Sequence, residues 1–243
     1  MRIILTTCLI FIFQNAYSQA TVSDFTFGFE VSPVISWMST DDNLINGNGA
    51  NLGVKLGTTG EYMLSENYSI TAAIHFSFNQ GGQLFYESGG NLLPRTDLSD
   101  PDFDKDLPDN VDIRYKLQFL EIPFGFKMRT NQMGNIRYFA HFPEFGFFLN
   151  TQSRANVEGG SPGNTVNTKD ENINDEVPFL RFRWGVSAGL EYNIGGDTFL
   201  VGGIGYQGTF GDILKGRGMR NNGQRDNSTV RIHGLVVKLG VLF

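Results

Sequence analysis

The sequence holds one cysteine, Cys8, three histidines and eight prolines, and nowhere runs eighteen apolar residues in a row. A lone cysteine excludes an intrachain disulfide framework. The missing apolar run excludes a helical membrane span. His75, His141 and His233 lie far apart and give no zinc-ligand spacing. Basic residues are also short: 19 Lys and Arg against 25 Asp and Glu, a formal charge of −6. Nucleic acid binding needs a concentrated basic surface, so no nucleic acid partner is expected. What the chain has in quantity is glycine, 30 residues, and phenylalanine, 22.

Those phenylalanines follow a strict rhythm. From Leu180 to Ile194 the residues Leu180, Phe182, Trp184, Val186, Ala188, Leu190, Tyr192 and Ile194 alternate with Arg181, Arg183, Gly185, Ser187, Gly189, Glu191 and Asn193. Period two means a β-strand whose faces meet opposite environments. Soluble strands run about five or six residues, whereas a tilted membrane-crossing strand needs about 9–11. An apolar, aromatic face opposite a charged, glycine-bearing one is the pattern of a transmembrane β-barrel.

The N-terminus predicts export. Met1-Arg2 is basic, Ile3 to Phe13 is mostly apolar, and Ala16-Tyr17-Ser18 places small residues before Gln19. This predicts a signal peptide over residues 1–18 and a barrel domain over 19–243. Loss of Arg2 and Cys8 leaves 18 basic residues against 25 acidic ones, 18 − 25 = −7, and no thiol.

Eight strands are expected: Phe25 to Met38, Asn51 to Met63, Ser69 to Asn79, Asp112 to Arg129, Ile136 to Asn150, Leu180 to Ile194, Thr198 to Phe210 and Thr229 to Phe243. Pro33 predicts a bulge or a break in the ladder. In the fourth strand the apolar parity changes: Ile113, Tyr115, Leu117 and Phe119, then Leu120, Ile122, Phe124, Phe126 and Met128. A β-bulge near Phe119-Leu120, helped by Glu121 and Pro123, would restore one lipid face. The fifth strand is apolar on both parities, leaving its register open around Pro143. Connections alternate between short (64–68, 130–135, 195–197) and long (39–50, 80–111, 151–177, 211–228). Outer-membrane barrels have tight periplasmic turns and long extracellular loops. The alternation therefore predicts an eight-stranded antiparallel barrel in the cell outer membrane, with periplasmic termini. Its last strand ends on the in-phase aromatic Phe243, the terminal type that barrel-assembly machinery reads.

Tyr115-Lys116-Leu117-Gln118-Phe119-Leu120-Glu121-Ile122-Pro123-Phe124-Gly125-Phe126-Lys127, Ile136-Arg137-Tyr138-Phe139-Ala140, the stretch from Ala188 to Thr198 and the stretch from Gly205 to Lys215 together resemble PorT-like outer-membrane β-barrels of the Bacteroidetes. The resemblance spans the chain after residue 18 and implies an eight-stranded barrel. Through the family's founding member it also implies a link to protein secretion. Phe142-Pro143-Glu144-Phe145-Gly146 departs from the glycine-containing pattern of that family's fifth strand.

Inward charges are expected at Glu30, Lys55, Glu61, Arg114, Lys116, Glu121, Lys127, Arg181, Arg183 and Glu191. Eight strands leave a lumen that side chains fill, so ion pairs plugging it are favoured over a substrate pore. Asp100, Asp102, Asp104, Asp106 and Asp109 in the stretch Asp97 to Asp112 faintly resemble a calcium loop. Lys105 stands where an EF-hand needs Gly, which favours a solvated acidic loop over a divalent-ion site. His75 and Ser77 share a strand face without nucleophile geometry, and no Gly-x-Ser-x-Gly elbow exists. Gly202-Gly203-Ile204-Gly205 reads as barrel packing, since no helix follows to make a phosphate cradle. No catalytic, cofactor-binding or metal residues are therefore assigned. The leading expectation is a non-enzymatic barrel acting through loops or rim on other envelope proteins, in secretion or envelope assembly, with outer-membrane lipid around it. A small pore is the alternative, and a lipid-modifying enzyme using His75 a weaker one.

Overall fold

The computed structural model describes residues 25–103, 105–216 and 218–243; the expected signal peptide lies outside them. The strands are β1 (Phe25–Thr40), β2 (Ile45–Ser65), β3 (Tyr68–Tyr86), β4 (Gly90–Asn91), β5 (Val111–Arg129), β6 (Ile136–Ser161), β7 (Asn164–Asn172), β8 (Leu180–Gly195), β9 (Thr198–Phe210), β10 (Met219–Arg220) and β11 (Val230–Leu242). Among the described residues a 3-10 turn occupies Asn174–Glu176. No helix among the described residues is long and apolar enough to cross a membrane.

Among the described residues, eight strands close a ring in the order β1-β2-β3-β5-β6-β8-β9-β11, each antiparallel to both neighbours. The pairs Thr26–Glu61, Glu61–Thr71, Thr71–Gly125, Gly125–Glu144, Glu144–Gly185, Gly185–Gln207, Gln207–Gly234 and Gly234–Ser36 run once around it. The path returns to β1 ten residues from its start (36 − 26 = 10), which is the stagger that tilts and closes the barrel. Pro33 interrupts only the ladder to β11, which skips Ser32 and Pro33 without a register shift.

The outer face carries a continuous apolar belt: Phe25, Phe27, Phe29, Val31 and Ile35 on β1, Ile70, Ile74, Phe76 and Phe78 on β3, Leu235, Val237 and Leu239 on β11. These side chains are 36–59 % exposed. So much apolar surface is stable only against hydrocarbon. Tyr62, Tyr68, Tyr138 and Tyr192 rim the belt at the end with the short turns, where an amphipathic ring suits the interface.

The parity change in β5 is no bulge on that strand. Its odd-numbered residues, Val111 through Arg129, point inward without interruption, and the even-numbered ones point outward. The register shifts fall on the neighbours: one extra residue on β3 between Ser77 and Gln80, where Asn79 has φ 54, and two on β6, one near Thr151 and one between His141 and Glu144. What changes along β5 is its surroundings. Toward the loop end Ile113, Tyr115 and Leu117 are wholly buried while Asp112, Arg114, Lys116 and Gln118 face outward. Past Phe119 the apolar residues Ile122 and Phe124 are outside, and Glu121, Lys127 and Arg129 are inside. Arg114 and Lys116 are therefore not lumenal.

The expected long loops also contain strand. β2, β3, β5 and β6 run 21, 19, 19 and 26 residues, against 16, 16, 13 and 13 for β1, β8, β9 and β11. One side of the barrel thus rises beyond the belt as a wall, extended by β7 pairing with β6.

Candidate functional site

The lumen and the loop-end cap are the two places where functional side chains gather. Within the belt, inward carboxylates are matched by inward cations. Lys55 Nζ donates to Glu121 (2.7 Å) and to the Gln207 side-chain oxygen (2.6 Å). Arg183 bridges Glu121 (3.2 Å) and Glu144 (2.8 Å), and Lys238 donates to Glu144 (2.9 Å). A second group lies nearer the short turns. Lys127 donates to Glu61 (2.6 Å) and also pairs with Glu191, while Arg129 pairs with Glu61 and Glu191, and Arg137 with Glu191. Glu30 accepts from the Ser32 hydroxyl (2.5 Å). Taking one partner from such a buried pair strands a charge, so the layers hold each other in place.

Seven of the ten expected inward charges sit in these layers: Glu30, Lys55, Glu61, Glu121, Lys127, Arg183 and Glu191. Arg181 keeps inward parity at the mouth and donates to the Asp212 carbonyl (2.6 Å). Arg114 contacts Gln83 (2.5 Å) and Asn51 (3.1 Å) on the wall, and Lys116 pairs with Asp170 (2.8 Å) on its outer side. Arg129, Arg137, Glu144 and Lys238 escaped the sequence reading. Glu144 was hidden by the register of β6, which shifts between His141 and Glu144 so that both point inward. Gly125 stands opposite, where a Cβ would lie 2.5 Å from the Pro143 carbonyl oxygen and 2.6 Å from His141 Nε2. Only glycine lets β5 pass that irregularity.

Small cavities remain between the layers. One of about 50 Å³ is lined by Glu30, Thr71, His75, Lys127, His141 and Lys238, a volume suited to a few waters. Glu121, not His75, takes the Ser77 hydroxyl. His141 bonds Thr71 (2.8 Å) and Glu144 (3.0 Å). His233 faces outward, stacked on Trp37 and bonded to the Tyr206 hydroxyl (2.6 Å).

The cap closes the loop end. Leu92, Leu93, Leu98 and Leu107 from the β3–β5 connection and Ile213 and Leu214 from the β9–β11 connection pack onto Leu84, Ile113, Tyr115, Val157, Val166 and Ile173. Polar links fix it: Glu176 accepts from the Arg95 backbone (2.5 Å) and guanidinium (3.1 Å), and buried Arg220 pairs with Asp42 (2.7 Å) and Asp226 (2.9 Å). The Arg220 guanidinium, by its hydrogen bond, holds the Asp42 carboxyl below the usual carboxylate range. The acidic run is dispersed. Asp100 accepts from the Asp102 amide (3.1 Å), Asp109 from the Gly89 amide (2.7 Å), and Asp112 from Asn48 (2.6 Å). Asp104 lies outside the described residues. Among those described, no three His, Cys, Asp or Glu gather as metal ligands.

Comparison with known proteins gives a family. No curated protein matches the sequence. Neisserial surface protein A is 14 % identical, covering 89 % of this chain and 95 % of that one, with a TM-score of 0.40. Ail, the attachment invasion locus protein of Yersinia pestis, is 10 % identical over 90 % and 99 %, with a TM-score of 0.38. The outer membrane protease OmpT from Escherichia coli is 8 % identical over 93 % and 99 %, with a TM-score of 0.40. Residues 14–215 match the family described as outer membrane protein beta-barrel domain, and the chain belongs to that family.

Proposed function

We propose that this chain is a non-enzymatic, PorT-like outer-membrane barrel whose capped loop end is a rigid platform for other envelope proteins, serving protein secretion or envelope assembly. Its long connections face outward from the cell and its termini lie in the periplasm, as barrels with tight turns at one end are arranged. The carrying observation is the wall of β2, β3, β5, β6 and β7, which continues past the lipid belt and closes over an apolar core built from the connections. Such a core orders loops that would otherwise be free, and ordered surfaces bind with less entropy lost.

The ion-pair layers from Lys55–Glu121 to Arg129–Glu191 support a structural lumen over a conducting one. Single-channel recording in planar bilayers tests this: a silent bilayer is expected, and steps altered by Arg183→Glu would refute it. The platform is tested by crosslinking in intact cells from Lys116 and Lys169 on the wall. Reproducible capture of defined envelope proteins from the wall is expected. Capture from Lys116 that is equally good in a chain lacking residues 162–170 would overturn the assignment.

A further inference from the structure

Every strand of the ring is paired on both sides, but β7, which extends the wall from β6, is paired on one. Gly160 of β6 turns its N–H away from β7 and donates to the Asn110 carbonyl (3.0 Å). Residues opposite each other in an antiparallel pair exchange both hydrogen bonds or neither. Thr165, opposite Gly160, therefore turns its N–H and C=O away from β6, and so does Asn167 two residues on. Neither meets a backbone partner on that side among the described residues.

This edge is short and wet. It runs from Asn164 to Thr168, because the register shifts opposite Ala155 and Val157 and Asp170 has φ 55. Asn164, Thr165, Asn167 and Lys169 are exposed, while Val166 and Thr168 are buried on the face toward the cap. A long, flat, apolar edge would invite aggregation; a short one with polar exposed side chains and a lysine beside it does not. Such an edge takes a short extended segment, held by main-chain hydrogen bonds with its side chains alternating between the two faces.

Geometry and charge choose the occupant. Two copies in one membrane are related by an axis along its normal, and strands tilted about 35–45° then cross at twice that angle instead of pairing. A second copy is therefore unsuited. The Ser99 amide (3.2 Å) and hydroxyl bond Glu171 at the end of β7 nearer the belt, which brings the 97–102 connection against the cap-side face of that strand. Lys105 of the cap is turned to Asp97, and Asp100 and Asp102 make no ion pair among the described residues. The charge beside the edge suits a basic segment.

We infer that an extended basic segment of a partner envelope protein adds to β7 as a further antiparallel strand, bonded to Thr165 and Asn167, with its Lys or Arg side chains toward Asp100 and Asp102. The inference names how the platform proposed above is engaged and rests on that reading. Its parity is fixed. Thr165 and Asn167 carry their side chains on the outer face, so the residues bonded to them do too, and the basic residues alternate with those.

The test uses the full chain in phosphatidylcholine nanodiscs and a short, blocked, fluorescent peptide of alternating Thr and Lys, read by anisotropy. Saturable binding is expected, with slower hydrogen exchange at the Thr165 and Asn167 amides. N-methylating the threonines of the peptide should weaken binding at least about tenfold, the scale of two main-chain hydrogen bonds lost. N-methylating its lysines, whose N–H groups point away from β7, should not. Asn167→Pro removes an N–H that β6 does not use, so it should weaken binding by the same factor with heat-modifiable mobility unaltered. Thr165→Pro repeats that test if Asn167→Pro does not fold. Asp100→Asn/Asp102→Asn should weaken binding severalfold, and less at high salt. Equal affinity after threonine N-methylation would mean charge attraction without strand addition and overturns the inference. A Thr-Glu peptide that binds as well overturns it too, as does a Thr-Lys peptide that does not bind. The two readings fail separately: capture from Lys116 that is lost without residues 162–170 but kept by Asn167→Pro would remove the edge and leave the platform standing.

Discussion

The belt half and the cap half of this barrel use the same strands with opposite polarity. In the belt, Ile122 and Phe124 point out and Glu121 and Lys127 point in; a few residues along the same β5, Lys116 and Gln118 point out and Tyr115 and Leu117 point in. Both halves belong to one ladder, from Tyr86–Val111 to Tyr68–Met128, which crosses the boundary with one extra residue on β3 between Ser77 and Gln80. The difference is the solvent outside. Hydrocarbon draws apolar side chains outward and leaves charges to pair within, whereas water reverses both preferences. A strand crossing from one to the other keeps its pleat and exchanges its faces' chemistry.

Four substitutions probe that contrast, from the largest effect to the smallest. Glu144→Leu removes the partner shared by Arg183, Lys238 and His141 inside the belt. A loss of about 3–5 kcal/mol is expected in urea unfolding from lipid vesicles. In the cap, Ile113→Ala opens a void at a fully buried site and should cost about 2–5 kcal/mol locally. It should read as faster proteolysis of the 88–110 connection while heat-modifiable mobility persists. Ile74→Arg places a charge on the lipid face midway along β3 and should cost about 2–4 kcal/mol by the same urea assay. Gln118→Leu shares the outward parity of Ile122 but lies past the belt, so a change within about 0.5 kcal/mol is expected.

Acid should act on the cap through Asp42. The Asp42 carboxyl, depressed by its Arg220 hydrogen bond, is a folded-state pKa below the unfolded value. Its contribution is complete above the unfolded value of about 3.9 and disappears as pH falls through the folded one. Proteolysis of the 211–229 connection by an acid-active protease should therefore accelerate at that low pH, and Asp42→Asn should remove the acceleration.

Period two revealed the eight strands, and the short connections fell within a residue or two of their observed places because each strand's outward face meets one uniform solvent there. Beyond the belt the same reading misled. Val111 to Phe119 looked like a lipid face in the wrong phase, since alternation records which face is apolar and not which side is wet. The upper part of β6 offers only Ala155 and Val157 as buried apolar residues, too few to signal a strand. The cap residues Leu92, Leu107, Ile213 and Leu214 have no period at all, because their partners are distant in sequence. Glu144 and Lys238 were individually visible, but their pairing depends on a register shift between His141 and Glu144 that local pattern does not encode.

The most direct test is a spin-label accessibility scan along β5, one cysteine substitution at a time from Asp112 to Phe126, in reconstituted bilayers. Continuous parity predicts that every even-numbered site faces outward. Labels at 112, 114, 116 and 118 should be reached by a water-soluble relaxant and those at 120, 122 and 124 by oxygen in the lipid, with odd-numbered sites protected throughout. Lipid exposure at 113, 115 and 117, with protection at 114 and 116, would mean that the strand slips by one residue near Phe119 and would contradict the exchange of faces.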